Sequence, residues 1–150
     1  MHEAIRLATK NIAAGLGGPF GAVIVQNGKI IATGTNLVTS TNDPTAHAEV
    51  VAIRRAAAAL KRFNLAGCEI YTSCEPCPMC LAAAYWASCD AIFYGNTAAD
   101  AADIGFSDAF LYDEIRRLPE QRRIPSMNFM REHALSSFEA WRRYPGRVEY

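Results

Sequence analysis

The amino-acid sequence predicts an α/β fold, a three-layer α/β/α sandwich around a mixed five-stranded sheet. Two observations predict it. Short runs rich in β-branched residues alternate with longer helical stretches along the 150 residues, and strand–helix–strand units pair their strands in parallel through a right-handed crossover. The first two runs are separated only by Asn27-Gly28, the strongest short signal for an antiparallel hairpin. The sheet is therefore expected to be mixed.

The first half of the chain predicts a helix, a hairpin, a loop and a second helix. Apolar residues at helical spacing indicate a helix over residues 1–14, and the hairpin strands are expected at residues 20–25 and 29–33. Residues 34–44 are rich in Gly, Thr, Ser and Asn, which is typical of a loop. Thr45 is a suitable N-cap for a helix that runs to Arg62.

The second half alternates strands and helices, at residues 69–73, 78–87, 91–94, 108–118, 127–131 and 136–143. Pro78 suits the first turn of its helix because that position needs no backbone N–H. The run at 127–131 is the fifth strand of the predicted sheet. Ser136 or Ser137 can cap the last helix.

The composition indicates one globular domain over residues 1–150. Hydrophobic residues make up 51% and charged residues 20% of the chain, as in ordinary globular proteins. Charge, Gly or Pro interrupts every apolar run before it reaches membrane-spanning length. The first residues lack the apolar stretch of a secretory signal. We therefore expect a cytoplasmic protein with no membrane partner.

The charge balance argues against a nucleic-acid partner. The chain has 15 basic and 15 acidic side chains, and its formal net charge is zero. Proteins that bind polynucleotides usually carry a basic stripe, because contacts with phosphate dominate that affinity. Substrates that are small molecules fit this balance better.

The cysteines point to a metal site. In a cytoplasmic chain, Cys77 and Cys80 at a spacing of three favour metal binding over a disulfide. Both lie on one face at the start of a predicted helix, whose partial positive charge favours the thiolate. His47, at the start of the preceding helix, supplies a third ligand. Two Cys and one His suit one Zn²⁺ per subunit and leave a fourth position for water.

Glu49 is the predicted catalytic base. It lies two residues after His47, and side chains at a helix start can converge on the space beyond the terminus. Glu49 can then reach a zinc-activated water without ligating the zinc. It would take a proton from this water and deliver it to the substrate.

This H-x-E…P-C-x-x-C pattern identifies the chain as resembling the zinc-dependent cytidine/deoxycytidylate deaminase superfamily, and most closely its bacterial guanine deaminases. The resemblance runs from the first predicted helix to the last residue. The matching stretches are GPFGAV at 18–23, NDPTAHAE at 42–49, TSCEPCPMC at 72–80, GFSD at 105–108 and EY at 149–150. It implies a cytidine-deaminase-like fold and hydrolysis of a free purine base, guanine giving xanthine and ammonia.

The resemblance also implies further site residues. Asn36 would hydrogen-bond the purine, and Asp108 would assist proton transfer near the departing amino group. The remaining residues expected at the substrate are Ala48, Phe20, Trp86 and Tyr150. The C-terminal segment, residues 134–150, would close over a pocket, and in this group it can close over the partner's pocket in a homodimer.

Several alternatives stay open on the residues alone. Cys74 could complete a closed structural Cys3His site, and Glu75 is a rival base. Asn36 could be a turn residue, and Asp108 the N-terminal charge of its helix. The chemistry would also serve adenosine in transfer RNA, guanosine, cytosine or an aminotriazine.

Overall fold

The computed structural model describes residues 1–150. It contains four strands, seven α-helices and one 3-10 turn at Pro119–Gln121. In chain order these elements are α1 (His2–Ala13), β1 (Gly21–Gln26), β2 (Lys29–Thr35), α2 (Val38–Thr41), α3 (Ala48–Leu60), β3 (Cys68–Cys74), α4 (Pro78–Trp86), β4 (Ala91–Asn96), α5 (Ala98–Asp103), α6 (Ala109–Arg116) and α7 (Arg131–Arg143). None of the helices has both the length and the hydropathy to cross a membrane.

The four strands form one mixed sheet in the order β2-β1-β3-β4. β1 pairs antiparallel with both β2 and β3, and β3 pairs parallel with β4. The hairpin turn has positive φ at Asn27 (50°) and Gly28 (72°), as a two-residue turn that matches strand twist requires. The α/β class, the mixed sheet and the predicted hairpin are confirmed.

Two glycines let helices approach opposite faces of the sheet. A β-carbon at Gly21 would overlap the backbone of α1, and a β-carbon at Gly34 would overlap that of α3 at Ala48 and Ala52. Gly34 pairs with Ala22, the neighbour of Gly21. Because successive residues of a strand point to opposite faces, α1 and α3 lie on opposite sides of the sheet.

The main core lies between the sheet and α3. Its strand residues include Ala22, Ile24 and Ile70, and α3 contributes the alanines Ala52 and Ala56. All five are buried. Small side chains on α3 bring the helix axis close to the strands, so the start of α3 is fixed relative to the end of β2.

The prediction of a fifth strand at residues 127–131 is wrong. These residues pair with no strand of the sheet, and Arg131 already begins α7. The apolar side chains of Met127 and Phe129 are more than 80% exposed, so neither packs into a sheet core. Met130 has a φ of 54°, and this left-handed conformation ends the extended run directly before the helix.

Several helix boundaries also differ from expectation. α3 begins at Ala48, because Thr45 donates its N–H and its hydroxyl to Asp43 and so belongs to a turn. Residues 38–41, expected in a loop, form α2. A capping box between Thr97 and Asp100 begins α5.

The chain divides into two compact units, Met1–Ala109 and Phe110–Tyr150. The first contains the sheet. In the second, Arg122 donates to the carbonyl oxygens of Glu114 and Ile115 at the end of α6. The Arg123 guanidinium lies 5.4 Å from the centre of the Phe110 ring. These contacts fix residues 122–123 against α6.

Candidate active site

Three side chains form a group that can hold one metal ion. The ligand atoms of His47, Cys77 and Cys80 all lie within 4.8 Å of one another. His47 Nδ1 is 3.6 Å from Cys77 Sγ and 3.5 Å from Cys80 Sγ. Tetrahedral zinc with ordinary Zn–S and Zn–N bond lengths would separate sulfur and nitrogen by about 3.6 Å. The residues therefore fit zinc.

The positions of the ligands follow from two helix starts. His47 and Cys77 are the N-caps of α3 and α4, and both have extended backbone conformations. Cys80 lies in the first turn of α4. The parallel pairing of β3 with β4 and the packing of α3 against α4 bring the two helix starts together.

The thiols are arranged to lose their protons to a metal. The hydrogen bond between the two thiols lowers the pKa of Cys77 to about 4, and His47 adds to this effect. The same hydrogen bond raises the pKa of Cys80. The hydrogen bond with Cys77 also raises the pKa of His47. One thiolate is thus present near neutral pH, and metal binding would release the second thiol proton.

Glu49 lies buried beside the three ligands. Its side chain is 5% exposed. The Thr72 hydroxyl donates to Oε1 over 3.0 Å, and Cys80 Sγ lies 3.4 Å from Oε2. Burial raises the pKa of the Glu49 carboxyl, against the opposing effect of the bond from Thr72. A raised pKa brings a carboxyl group closer to the pH at which the enzyme works, which favours general acid–base exchange.

A cavity of about 310 Å³ opens onto this group, at the lower end of the range for small-molecule sites. Its lining residues all belong to the first unit and are Phe20, Asn36, His47, Glu49, Cys74, Glu75, Cys77, Ala98, Ala101, Gly105, Phe106, Ser107 and Asp108. The structure therefore brings the predicted residues Phe20, Asn36 and Asp108 to the same cavity as the metal ligands.

Asn36 presents a hydrogen-bond donor to the cavity. Asn36 is buried, with 6% of its surface exposed. Its side-chain oxygen accepts from the N–H groups of Gly18 and Val38, each over 3.3 Å. Because the oxygen is occupied on both sides, the Nδ2 group is the part available to a ligand.

An aromatic pair forms one wall of the cavity. Phe20 and Phe106 meet edge to face with ring centres 4.9 Å apart. A β-carbon at Gly18 would crowd both rings, so glycine is needed beneath them. Asp108 lies beyond Phe106, and partial burial together with the Cys77 thiolate raises the pKa of its carboxyl.

Three predicted substrate residues are not among the lining residues. Ala48 is buried at the first position of α3. Trp86 ends α4 with 69% of its surface exposed. Tyr150 belongs to the second unit and is 82% exposed.

Cys74, the alternative fourth ligand, and Glu75, the rival base, both have other partners. Cys74 Sγ lies 3.6 Å from the carbonyl oxygen of Thr97, and burial raises the pKa of its thiol to about 11. Cys74 is also absent from the group of possible ligands. The Glu75 carboxylate accepts the N–H of Ala98 at the start of α5. Both residues tie the loop before α4 to α5, although both also line the cavity.

Sequence reasoning assigned no role to Thr72 or Phe106. Thr72 is fully buried and holds the Glu49 carboxylate. The available signal was its place on β3, where it shares a face with the core residue Ile70. A polar residue at an inward position needs a partner. The signal for Phe106 was its place in the GFSD stretch at 105–108, but its contact with Phe20 spans 86 residues of chain and could not be read from that motif.

Comparison with known proteins places this geometry in a family. Over 150 residues the chain is 52% identical to guanine deaminase of Bacillus subtilis and covers 96% of that protein. The crystal structure of guanine deaminase from Bacillus subtilis has a TM-score of 0.97, over 99% of this chain and 95% of that one, at 52% identity. A tRNA-specific adenosine deaminase of Agrobacterium fabrum is 44% identical over 77 residues, 51% of each chain. The cytidine and deoxycytidylate deaminase zinc-binding region matches residues 1–96, and the chain therefore belongs to that zinc-dependent deaminase family.

Proposed function

We propose that this enzyme hydrolyses guanine to xanthine and ammonia, in the cytoplasm and as part of purine metabolism. The observation that carries the chemistry is Glu49, a buried carboxyl group beside three metal ligands at the floor of one cavity. The likeness to guanine deaminase over the whole chain supports the choice of substrate. One water molecule is consumed, the bond to the exocyclic amine breaks, and a carbonyl group replaces it.

Glu49 moves the protons in this reaction. A zinc ion held by His47, Cys77 and Cys80 would supply Lewis acidity that makes a nucleophilic water available near neutral pH. Glu49 takes one proton from the water and delivers it to a ring nitrogen of the purine, and it then passes the second proton of that water to the departing amine. Its burial suits both steps, because a raised pKa lets the same carboxyl group accept and return a proton.

Other residues of the cavity hold the base. Asn36 Nδ2 donates to an acceptor atom of the purine, and Phe20 packs on its ring. The N–H of Ala48 is at the start of α3, where N–H groups lack acceptors within the helix. We assign it to the substrate also. Asp108, at the rim, assists proton transfer near the amine that leaves.

We also propose that the working enzyme is a homodimer in which residues 134–150 cover a pocket, within one chain or across to the partner subunit. In the second unit Phe138 is 65% exposed, and in the first Tyr85 is 78% exposed. Exposed aromatic side chains are enriched at protein–protein interfaces. The predicted contacts of Trp86 and Tyr150 with the base depend on this assembly.

The test is ammonia release by zinc-loaded protein. The substrates are guanine, guanosine, adenine, cytosine, cytidine and a transfer RNA anticodon stem, and the control is Glu49→Gln. We expect ammonia from guanine, and zinc-bound Glu49→Gln protein without turnover. Near-normal turnover by Glu49→Gln would remove the assigned role of Glu49.

Transfer RNA adenosine deamination is the second candidate, supported by the partial likeness to those enzymes. Ammonia from the RNA alone would favour it. No release from any substrate by protein that holds its zinc would favour a structural zinc site.

A further inference from the structure

Asn11 on α1 joins two segments of the cavity wall. Its side chain is buried, with 2% of its surface exposed. Its Nδ2 donates to the carbonyl oxygen of Asn36 over 2.8 Å and to that of Gly18 over 3.0 Å. These acceptors belong to two loops that are 18 residues apart in sequence.

The two acceptors fix which way the Asn11 amide points. Carbonyl oxygens only accept hydrogen bonds, so the amide nitrogen must face them. The opposite atom, Asn11 Oδ1, is buried and has no hydrogen-bond partner. An unpaired buried acceptor destabilises a fold, and an apolar side chain would avoid that loss. The two donated bonds are therefore the reason for an amide at this position.

The bonds of Asn11 close a ring around Asn36. Gly18 donates its N–H to Asn36 Oδ1 while its carbonyl oxygen accepts from Asn11. Gly17 has no space for a side chain, because a β-carbon there would overlap the Asn36 backbone. We call Asn11, Gly18 and Asn36 the amide clamp. It holds the Asn36 backbone and side chain together.

We propose that Asn11 is a positioning residue for the substrate: through the amide clamp it aims Asn36 Nδ2 at the purine and so sets the affinity for the base. This inference rests on the proposed function, in which Asn36 binds guanine. Asn11 itself does not line the cavity, and its hydrogen bonds run to Gly18 and Asn36 rather than to a metal ligand. Its loss should weaken substrate binding and leave the proton-transfer residues in place.

The test compares Asn11→Ala and the isosteric Asn11→Asp with wild-type protein. Either change removes the two Asn11 hydrogen bonds that position the Asn36 Nδ2 donor. If Asn36 then loses its hydrogen bond to the purine, the affinity should fall about five- to tenfold, the usual contribution of one neutral hydrogen bond. We expect KM for guanine to rise about five- to tenfold in Asn11→Ala, with kcat within about twofold and full zinc content. Asn11→Asp should be at least as impaired near neutral pH, because a carboxylate would face two carbonyl oxygens.

A second measurement does not depend on turnover. Hydrogen exchange should become faster at the N–H groups of Gly18 and Val38, which Asn36 Oδ1 accepts, and stay unchanged in α3. The control is Leu65→Ala, a buried truncation in the core on the α3 side of the sheet that should lower Tm without changing KM.

The outcomes separate the two proposals. If wild-type protein released no ammonia from guanine, the proposed function would be overturned. Hydrogen exchange at Gly18 and Val38 would then be the only test of whether Asn11 holds Asn36 in place. Active wild-type protein together with unchanged KM in Asn11→Ala would overturn the positioning role. An equal rise of KM in Leu65→Ala would also overturn it, because general loosening would then explain the effect.

Discussion

At the scale of single residues, the Glu49 carboxylate depends on the one hydroxyl that Thr72 donates to it. Thr72→Val keeps the shape of the side chain and removes this bond. Because hydrogen bonds to charged groups contribute about 1.5–3 kcal/mol, we expect kcat to fall about ten- to hundredfold while KM for guanine and zinc content change little. Thr72→Ser should restore most of the rate. Steady-state kinetics and metal analysis decide it, and a kcat unchanged by Thr72→Val would contradict the role.

Glu49 also makes stability depend on pH. Its folded-state pKa lies above the ordinary value of 4.5, so the folded protein keeps this proton to higher pH than the unfolded chain does. The free energy of unfolding therefore falls as pH rises above about 4.5. Glu49→Gln lacks this loss. In chelator-treated protein we expect the Tm of Glu49→Gln to rise relative to that of wild type as the pH is raised from 4 to 7.

Thermal melts of the metal-free proteins between pH 4 and pH 7 test this difference. A Tm difference for Glu49→Gln that is independent of pH would show that the carboxyl group does not titrate in this range.

The metal ligands and the base could be predicted because their spacing is local. Cys77 and Cys80 lie three residues apart, and His47 and Glu49 lie two apart at a helix start. The Thr72 contact with Glu49 joins positions 23 residues apart. It depends on strand pairing that the sequence does not specify residue by residue. The amide clamp could not be predicted from the sequence for the same reason, since it joins three separate segments of the chain.

At the scale of secondary structure elements, the close contact between β2 and α3 sets the position of His47. Gly34→Ala places a methyl group against the backbone of α3 at Ala48 and Ala52. The overlap should cost about 1–3 kcal/mol or more. It should also move the start of α3, and we expect a lower Tm and weaker zinc binding.

Gly15→Ala is the matched control for this change. Gly15 has a φ of 65° and open space around its α-carbon, so alanine there should cost about 1–2 kcal/mol through backbone strain alone. Zinc binding should be unaffected. If Gly15→Ala and Gly34→Ala weakened zinc binding equally, the contact between β2 and α3 would not be what positions His47.

Elements were predictable where local chemistry decides them. Asn27-Gly28 supplies its own turn geometry, and Pro78 marks the start of α4. Residues 127–131 were expected to form a strand, yet a strand needs a partner, and no strand pairs with them. Asp43 holds Thr45 in a turn and so delays α3 to Ala48. The periodicity of apolar residues in the sequence predicts neither strand pairing nor a side-chain hydrogen bond that competes with the start of a helix.

At the scale of the whole molecule, the proposal that residues 134–150 cover a pocket predicts what their removal does. The first unit contains the ligands and the entire cavity lining. The shortened chain should therefore fold, bind zinc and lose most of its activity on free guanine. Unchanged kcat/KM after the truncation would show that the segment does not cover a pocket.

Mixing two inactive variants distinguishes the two ways of covering it. Shortened chains keep Glu49, and full-length Glu49→Gln chains keep the C-terminal segment. If the segment crosses between subunits, mixed dimers should recover part of the ammonia release. Sedimentation confirms that mixed dimers form, and their inactivity would favour closure within one subunit.

The two helix starts that carry the ligands have a consequence for the folding of the chain. His47 and Cys77 are 30 residues apart, so a bound zinc ion closes a loop of that length and acts as a cross-link. The unfolded chain would have to close this loop before both residues could hold the ion, so zinc binds the folded state preferentially. Its effect also grows with free zinc, because an ion that binds only the folded state stabilises it by mass action. The resistance of this protein to unfolding is therefore tied to the zinc activity of its surroundings.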